Sequence, residues 1–239
     1  MDVIARLDQT RSAINVLEHR FYRRWSAGEL RPGELCAYAG EYRHAVLALA
    51  RASTLAADCA AASERVGEDV RAGLRAHAEE EAAHVELWDR FALATASAPT
   101  GDGHASDAAG DAPQRLSAPA ETSPHTQTRT CVRAWTAGED LLEHLAVLYA
   151  IEAGQPDVSA TKLEGLLAHY GFSEEGPATE YFRVHRLRDV EHAGQARALI
   201  TQLTSDVEDG EERAERMLAR ASGALRGNWL LLDGVEGGL

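Results

Sequence analysis

The amino-acid sequence predicts an all-α protein, a bundle of seven helices, and three observations carry that expectation. Apolar residues recur at helical spacing along most of the 239 residues, no strand-like alternation of useful length interrupts them, and prolines number only seven. A chain of this length suits one well-cored domain. Residues 1–239 therefore read as a single helical domain carrying one irregular insert.

The first helix is expected from about Val3 to Ser26, with Ile4, Leu7, Ile14, Phe21 and Trp25 in phase; "AGELRPGEL" breaks it and places Pro32 at a helix start. A second runs from about Gly33 into the fifties, and a third from about Glu64 to Ala94. The composition then changes. The stretch "TASAPTGDGHASDAAGDAPQRLSAPAETSPHT" has almost no large apolar residue to bury, so residues 97–128 read as a flexible low-complexity surface loop within the domain. Helices resume near Thr130 and reach about Gly154, where "AGQP" marks a break. Further helices follow from about Val158 to Tyr170, Pro177 to Leu203 and Asp206 to Leu232.

The bulk properties exclude several function classes. Acidic side chains outnumber Lys and Arg by 38 to 24, a net charge of -14, which opposes binding to nucleic acid phosphates. Cys36, Cys59 and Cys131 are odd in number and widely spaced, which suggests neither a disulfide framework nor a thiolate zinc site. The charged N-terminus does not resemble a signal peptide, and no stretch reads as the ~20 apolar residues that span a bilayer. A reducing cytoplasm is the expected compartment. The expected partners are a small-molecule or self-derived substrate and at most a second copy of the chain, with neither nucleic acid nor membrane.

Three helices place metal-ligand residue types where packing would want leucine. The third carries Val70, Leu74, His77, Glu81, His84, Trp88 and Phe91 in one register, so that "HAEEEAAHVELW" interrupts its apolar stripe with His, Glu and His. The fourth carries Leu141, Leu145 and Leu148, then Glu152. In "YFRVHRLRDVEH" the stripe that begins at Phe182 continues through His185, Asp189 and His192 to Ala196, Leu199 and Leu203. An unpaired buried carboxylate costs several kcal/mol, so such groups must be neutral, paired or bound to a cation. Acid-x-x-His occurs twice, at Glu81/His84 and Asp189/His192, and Glu152 and His185 join them, a pattern that suits a dinuclear site in a helical bundle. Three imidazoles and three carboxylates without thiolate favour iron or manganese, and two divalent cations would offset the three negative charges. His77 also reads as an ordinary core histidine.

Taken together with "LEHRFYRRWSAGEL", "AYAGEY", "LYAIEAGQP" and "KLEGLLAHYGF", these segments resemble the haem-oxygenase-like di-iron oxidases, and among them the branch that forms 4-aminobenzoate. The resemblance covers about residues 9–94 and 129–205. It implies a seven-helix fold shared with thiaminase II (TenA) and pyrroloquinoline-quinone synthase (PqqC). It also implies a core pair of iron ions, or iron with manganese, that uses O2 and an external reductant. Glu152, His185, Asp189, His192 and His84 match family ligands; the remaining one is open among Glu79, Glu80 and Glu81, with Glu81 favoured by its core register. His77 is the alternative, and Glu41 is a candidate for a further, labile carboxylate. By the same resemblance Tyr22 is the candidate source of the aromatic product and Lys162 the amino donor, while Tyr38 and Tyr42 line the pocket or carry radical character.

Other readings stay open at this point. The same centre in an oxidase of this kind would also serve an external fatty acid, amino acid or amine. A metal-free enzyme like thiaminase II or pyrroloquinoline-quinone synthase would need Cys36 or Cys131 facing the pocket in the thiaminase case, and would leave the ligand pattern unexplained. A non-catalytic helical interaction protein would account for the acidic surface and the long loop.

Overall fold

The computed structural model describes residues 2–97, 123–205 and 210–238, and among these every regular element is helical. The elements are α1 (Val3–Ala13), a 3-10 turn (Val16–Glu18), α2 (Arg20–Ser26), α3 (Pro32–Ala62), α4 (Glu68–Ala96), α5 (Thr126–Trp135), α6 (Leu141–Glu152), α7 (Gln155–His169), α8 (Glu180–Thr204) and α9 (Gly210–Gly237).

Two of the seven expected helices are each divided in two, and local capping chemistry explains both divisions. In the first, the Asn15 side chain accepts the Leu17 N–H and the His19 ring accepts the Phe21 N–H, so the chain turns between α1 and α2 although the apolar phase persists. In the fourth, Asp140 caps α6 by accepting the Glu143 N–H at 2.9 Å, which isolates Thr126–Trp135 as a helix of its own. The expected loop over 97–128 is also shorter at its far end. Residues 98–122 lie outside the described residues, but Thr126, Gln127 and Thr128 form the first turn of α5. Thr128 is buried there, and its hydroxyl donates to Glu41, which also accepts the His125 N–H at 3.1 Å. A side-chain anchor on α3 thus orders residues whose own composition is polar.

Helix α6 is the axis of the bundle. All twelve of its residues are buried, and nine of them are apolar, which suits a helix surrounded by others. Helices α8, α9 and α3 pack on it, α4 lies along α3, α5 along α9, and α7 along α8. Its buried Glu143 is held by the guanidinium groups of Arg216 at 3.0 Å and Arg220 at 2.8 Å, both on α9. Helix α3 is, by length and composition, apolar enough to cross a membrane, contrary to the expectation that no stretch would be. Its alanines raise its mean hydropathy, and one face of it packs on α4, α5 and α6 inside the fold.

Close backbone approach sets the position of α2 against α7. A Cβ at Gly165 would lie 2.5 Å from the Trp25 indole, so glycine lets the two helices meet. The indole N–H donates to the Lys162 carbonyl at 3.1 Å. Gly28 ends α2 at φ +70°, a left-handed conformation, beside the His169 ring of α7.

Candidate metal centre

Helix α4 presents His77, Glu81 and His84, α8 presents His185, Asp189 and His192, and α6 ends on Glu152. All seven side chains are buried, none more than 7 % exposed. Glu81 lies at their centre. Its Oε1 is 3.3 Å from His84 Nδ1, 3.6 Å from His192 Nδ1 and 3.9 Å from His77 Nε2, and its Oε2 is 3.8 Å from His185 Nε2. Glu152 Oε1 lies 3.0 Å from His77 Nε2, and Asp189 Oδ1 lies 3.8 Å from His192 Nδ1.

Two triads therefore converge, His77–Glu81–His192 and Glu81–His84–His185, with the ligand atoms of each within 4.8 Å of one another and Glu81 common to both. The polar atoms at this point lack ordinary partners. His77 Nε2, Glu81 Oε1, His84 Nδ1, His185 Nε2, His192 Nδ1 and both oxygens of Glu152 and Asp189 are buried without a well-aligned hydrogen bond. Leaving so many buried groups unsatisfied costs several kcal/mol in total, and a cation satisfies imidazole and carboxylate lone pairs together. Residue types, burial and convergence all fit a bound metal ion.

The electrostatics of the metal-free chain point the same way. Burial pushes the Glu152 and Asp189 carboxyls above their ordinary range, partly offset by His77 for Glu152 and by His192 and His185 for Asp189. Burial also opposes ionisation of Glu81, but the imidazoles of His185 and His84 overcome it and hold that carboxyl well below its usual range. The histidines answer in kind. Burial works against a charged His192, yet Asp189, Glu152, Glu81 and Glu80 outweigh it and push the ring up to about 9. Protons on imidazoles thus balance the carboxylates until a cation replaces them.

The three consecutive glutamates separate by phase. Glu79 is exposed, and Glu80 forms a two-pronged ion pair with Arg188 at 2.6 and 2.7 Å while accepting from His192 Nε2 at 3.3 Å, so only Glu81 points into the group. The ring nitrogen that His192 turns away from Glu81 is thereby held by a carboxylate, and His185 Nδ1 likewise faces the Tyr181 carbonyl at 2.9 Å. His77 lies among the convergent residues together with Glu81 and is no substitute for it. Glu41 does not join them; it anchors α5.

Beside this group lies an aromatic enclosure. Lys162 is 1 % exposed, and its ammonium sits 4.5 Å from the centre of the Tyr42 ring and 5.4 to 5.6 Å from those of Tyr38, Phe182, Tyr22 and Trp88. Burial pulls its pKa down to about 7, with Asp189 opposing the shift. The Tyr22 and Tyr38 hydroxyls are 3.3 Å apart, and burial raises both phenols well above their ordinary range. Tyr22, Tyr38, Tyr42 and Lys162 thus share one site. Trp88 and Tyr181 connect it to the histidines: Trp88 packs edge-on against Tyr181 at 4.9 Å, and Tyr181 stacks on the His185 ring at 3.8 Å. Sequence reasoning missed Trp88, Tyr181 and Phe182 as members of this site; their only signal was a place next to ligand-type residues in the same helices. Of the cysteines considered for a metal-free reaction, Cys36 is exposed, and burial raises the Cys131 thiol far above its usual range, which suppresses the nucleophilic thiolate.

A helical bundle whose buried histidines and carboxylates converge between α4, α6 and α8 defines a class of proteins with a candidate metal site in a helical core, and sequence comparison identifies which. Residues 44–225 match the family of iron-containing redox enzymes, and the chain belongs to that family. The chain is 30% identical over 230 residues to a 4-aminobenzoate synthase of Chlamydia muridarum, covering 92% of this chain and 87% of that one. Among solved structures, a TenA homologue from Pseudomonas syringae aligns with a TM-score of 0.74 at 16% identity over 98% of this chain and 91% of that chain. A domain of unknown function with a haem oxygenase-like fold from Shewanella denitrificans aligns at 0.74 and 16% over 100% and 93%. At that identity the likeness is one of fold, and the fold is haem-oxygenase-like.

Proposed function

We propose that this enzyme activates O2 at a pair of divalent cations, iron or iron with manganese, and forms 4-aminobenzoate, a folate precursor, from its own Tyr22 side chain. The observation that carries the reading is the enclosure of Tyr22 and Lys162 together, beside the metal-ligand group, in a chain related to 4-aminobenzoate synthases. Glu81, His84 and His185 would hold one cation and Glu81, His77 and His192 the other, with Glu152 and Asp189 beside them to complete the set. When bound, the cations supply activation of O2 with electrons from an external reductant.

The chain's own residues account for the rest. Converting a tyrosine side chain to 4-aminobenzoate breaks the Cα–Cβ bond, oxidises Cβ to a carboxylate and replaces the phenolic oxygen with nitrogen. O2 is the oxidant throughout: the Lys162 amine condenses with the oxidised ring carbon so that the phenolic oxygen leaves as water, and the Nζ–Cε bond then breaks by hydrolysis with Cε left as an aldehyde. Lys162 suits that role because burial leaves a substantial neutral fraction near pH 7, and only the neutral amine is a nucleophile. Burial also keeps Tyr22 a neutral phenol, hydrogen-bonded to the Tyr38 hydroxyl, so an electron taken from it leaves with its proton. The surrounding rings exclude water from the reactive intermediates. Three cysteines with no disulfide among the described residues accord with a reducing compartment.

Anaerobic iron reconstitution, exposure to O2 with a reductant, and mass spectrometry of both small molecules and protein test the proposal. The expected yield is at most about one 4-aminobenzoate per chain, with a mass change in the peptide containing residue 22, and Tyr22→Phe should give none. Many turnovers on an added substrate, or parental product from Tyr22→Phe, would reject the self-derived substrate.

A further inference from the structure

The lysine and tyrosine enclosure leaves one approach to the histidines unused. Between the N-terminal half of α4 and the C-terminal half of α8, floored by α6, lies a cavity of about 400 Å³. Val70, Leu74, Leu145, Leu148, Ala196 and Leu199 wall it, and it also reaches His77 and His192, whose Nε2 and Nδ1 are among the unpartnered atoms. Asp69, Gln195 and Gln202 are exposed at its rim, and no lysine or arginine lines it. Tyr22, Tyr38, Tyr42 and Lys162 do not line it either.

Gly73 of α4 opens onto this space. A Cβ built there meets no atom within 4 Å, so packing does not require glycine, although glycine within a helix costs about 1 kcal/mol relative to alanine.

We infer that this cavity is the route by which dioxygen reaches the metal centre; the inference takes from the proposed function only that O2 is a reactant. Dioxygen is small, apolar and uncharged. The valine and leucine walls offer it apolar contacts that water does not gain, while the groove runs out to solvent at Asp69, Gln195 and Gln202. An organic anion finds no cation here, and Asp69 at the rim repels it. The route ends at the His77–Glu81–His192 triad, on a different side of the centre from Tyr181 and His185, so the oxidant and the ring to be oxidised approach separately.

Two measurements test the inference on different states of the protein. Crystals of the metal-free chain pressurised with xenon should bind the gas between Leu74, Leu148 and Leu199; Gly73→Trp, which projects an indole into the cavity toward those leucines, should lose the site, and Gly73→Ala should keep it. In the iron(II)-loaded protein, Gly73→Trp should slow oxidation by O2 at least tenfold while retaining parental metal content, and Gly73→Ala should leave the rate unchanged. Absence of xenon from the cavity would overturn the inference, as would an unchanged rate in a Gly73→Trp protein whose structure shows the indole seated between Leu74, Leu148 and Leu199. Loss of product from Gly73→Trp without slower oxidation would also overturn it, because the space would then serve an organic substrate. A parent enzyme that makes no 4-aminobenzoate would refute the proposed function, and the xenon and oxidation measurements would still decide the route.

Discussion

Glu81 is the one side chain common to both convergent triads, so replacing it should remove two metal sites, whereas replacing a histidine should remove one. Each cation that binds the folded chain alone adds about 2.7 kcal/mol at a free concentration one hundred times its dissociation constant. Two cations therefore add about 5.4 kcal/mol, and a chain of this size gains roughly 2–4 °C per kcal/mol, so saturating iron(II) or manganese(II) should raise the parental melting temperature by roughly 11–22 °C. His84→Ala keeps His77, Glu81 and His192 and should show about half of that rise, with one metal per chain instead of two. Glu81→Ala should show almost none. Scanning calorimetry under anaerobic conditions, paired with metal analysis after desalting, reads both quantities. Two metals per chain and a full thermal rise in Glu81→Ala would refute the shared carboxylate, and a His84→Ala protein with no rise would refute the independence of the triads.

Three further predictions concern the enclosure and the protons. Lys162 is buried with its pKa pulled down to about 7, so between about pH 7 and 10 the unfolded chain carries a proton that the folded one lacks. Stability should therefore rise with pH by roughly 1.4 kcal/mol per unit in that window relative to Lys162→Met, and denaturant melts of both metal-free proteins at several pH values measure the difference. Because His192 titrates near about 9 before metal binds, loading at pH 7 should release at least about one proton per chain, and apparent affinity should rise with pH toward 9. Titration in weak buffer with an indicator dye detects the release, and a pH-independent affinity would contradict it. Gly165→Ala pushes a methyl group into Trp25, which packs on Tyr38, and should cost about 1–3 kcal/mol by overpacking. It should lower product yield while leaving metal content unchanged, as metal analysis and product assay on one preparation would show.

The histidines and carboxylates were legible in the sequence because a helix stripe is a strong constraint: where Val70 and Leu74 precede and Trp88 and Phe91 follow, a polar residue in phase faces the core. His77 lies in that same register, where a polar residue reads equally as a ligand or as an ordinary core histidine, and only its approach to Glu81 and Glu152 distinguishes the two. The choice among Glu79, Glu80 and Glu81 turned on helical phase, and Arg188 holds Glu80 off to the side. The enclosure around Lys162 was not legible from spacing, since its rings come from α2, α3, α4 and α8 and meet only through tertiary packing; family resemblance alone singled out Lys162 and Tyr22. The breaks at Asn15 and Asp140 were missed because capping is local while the apolar phase runs on across it.

The complete enclosure of α6 has a consequence for how the enzyme moves. A helix with no solvent face exposes its amide hydrogens only when the helices around it come apart, so α6 should belong to the last unit of the molecule to open to hydrogen exchange. Glu152 rides on that unit, whereas the groove between α4 and α8 runs out to solvent beside His77 and His192. Hydrogen exchange should therefore show α4 and α8 opening along that seam before the amides of α6 exchange. The candidate centre thus has one wall carried by the most protected helix of the fold and another that faces a solvent-reaching seam, and a cation held there should exchange faster than the chain unfolds globally.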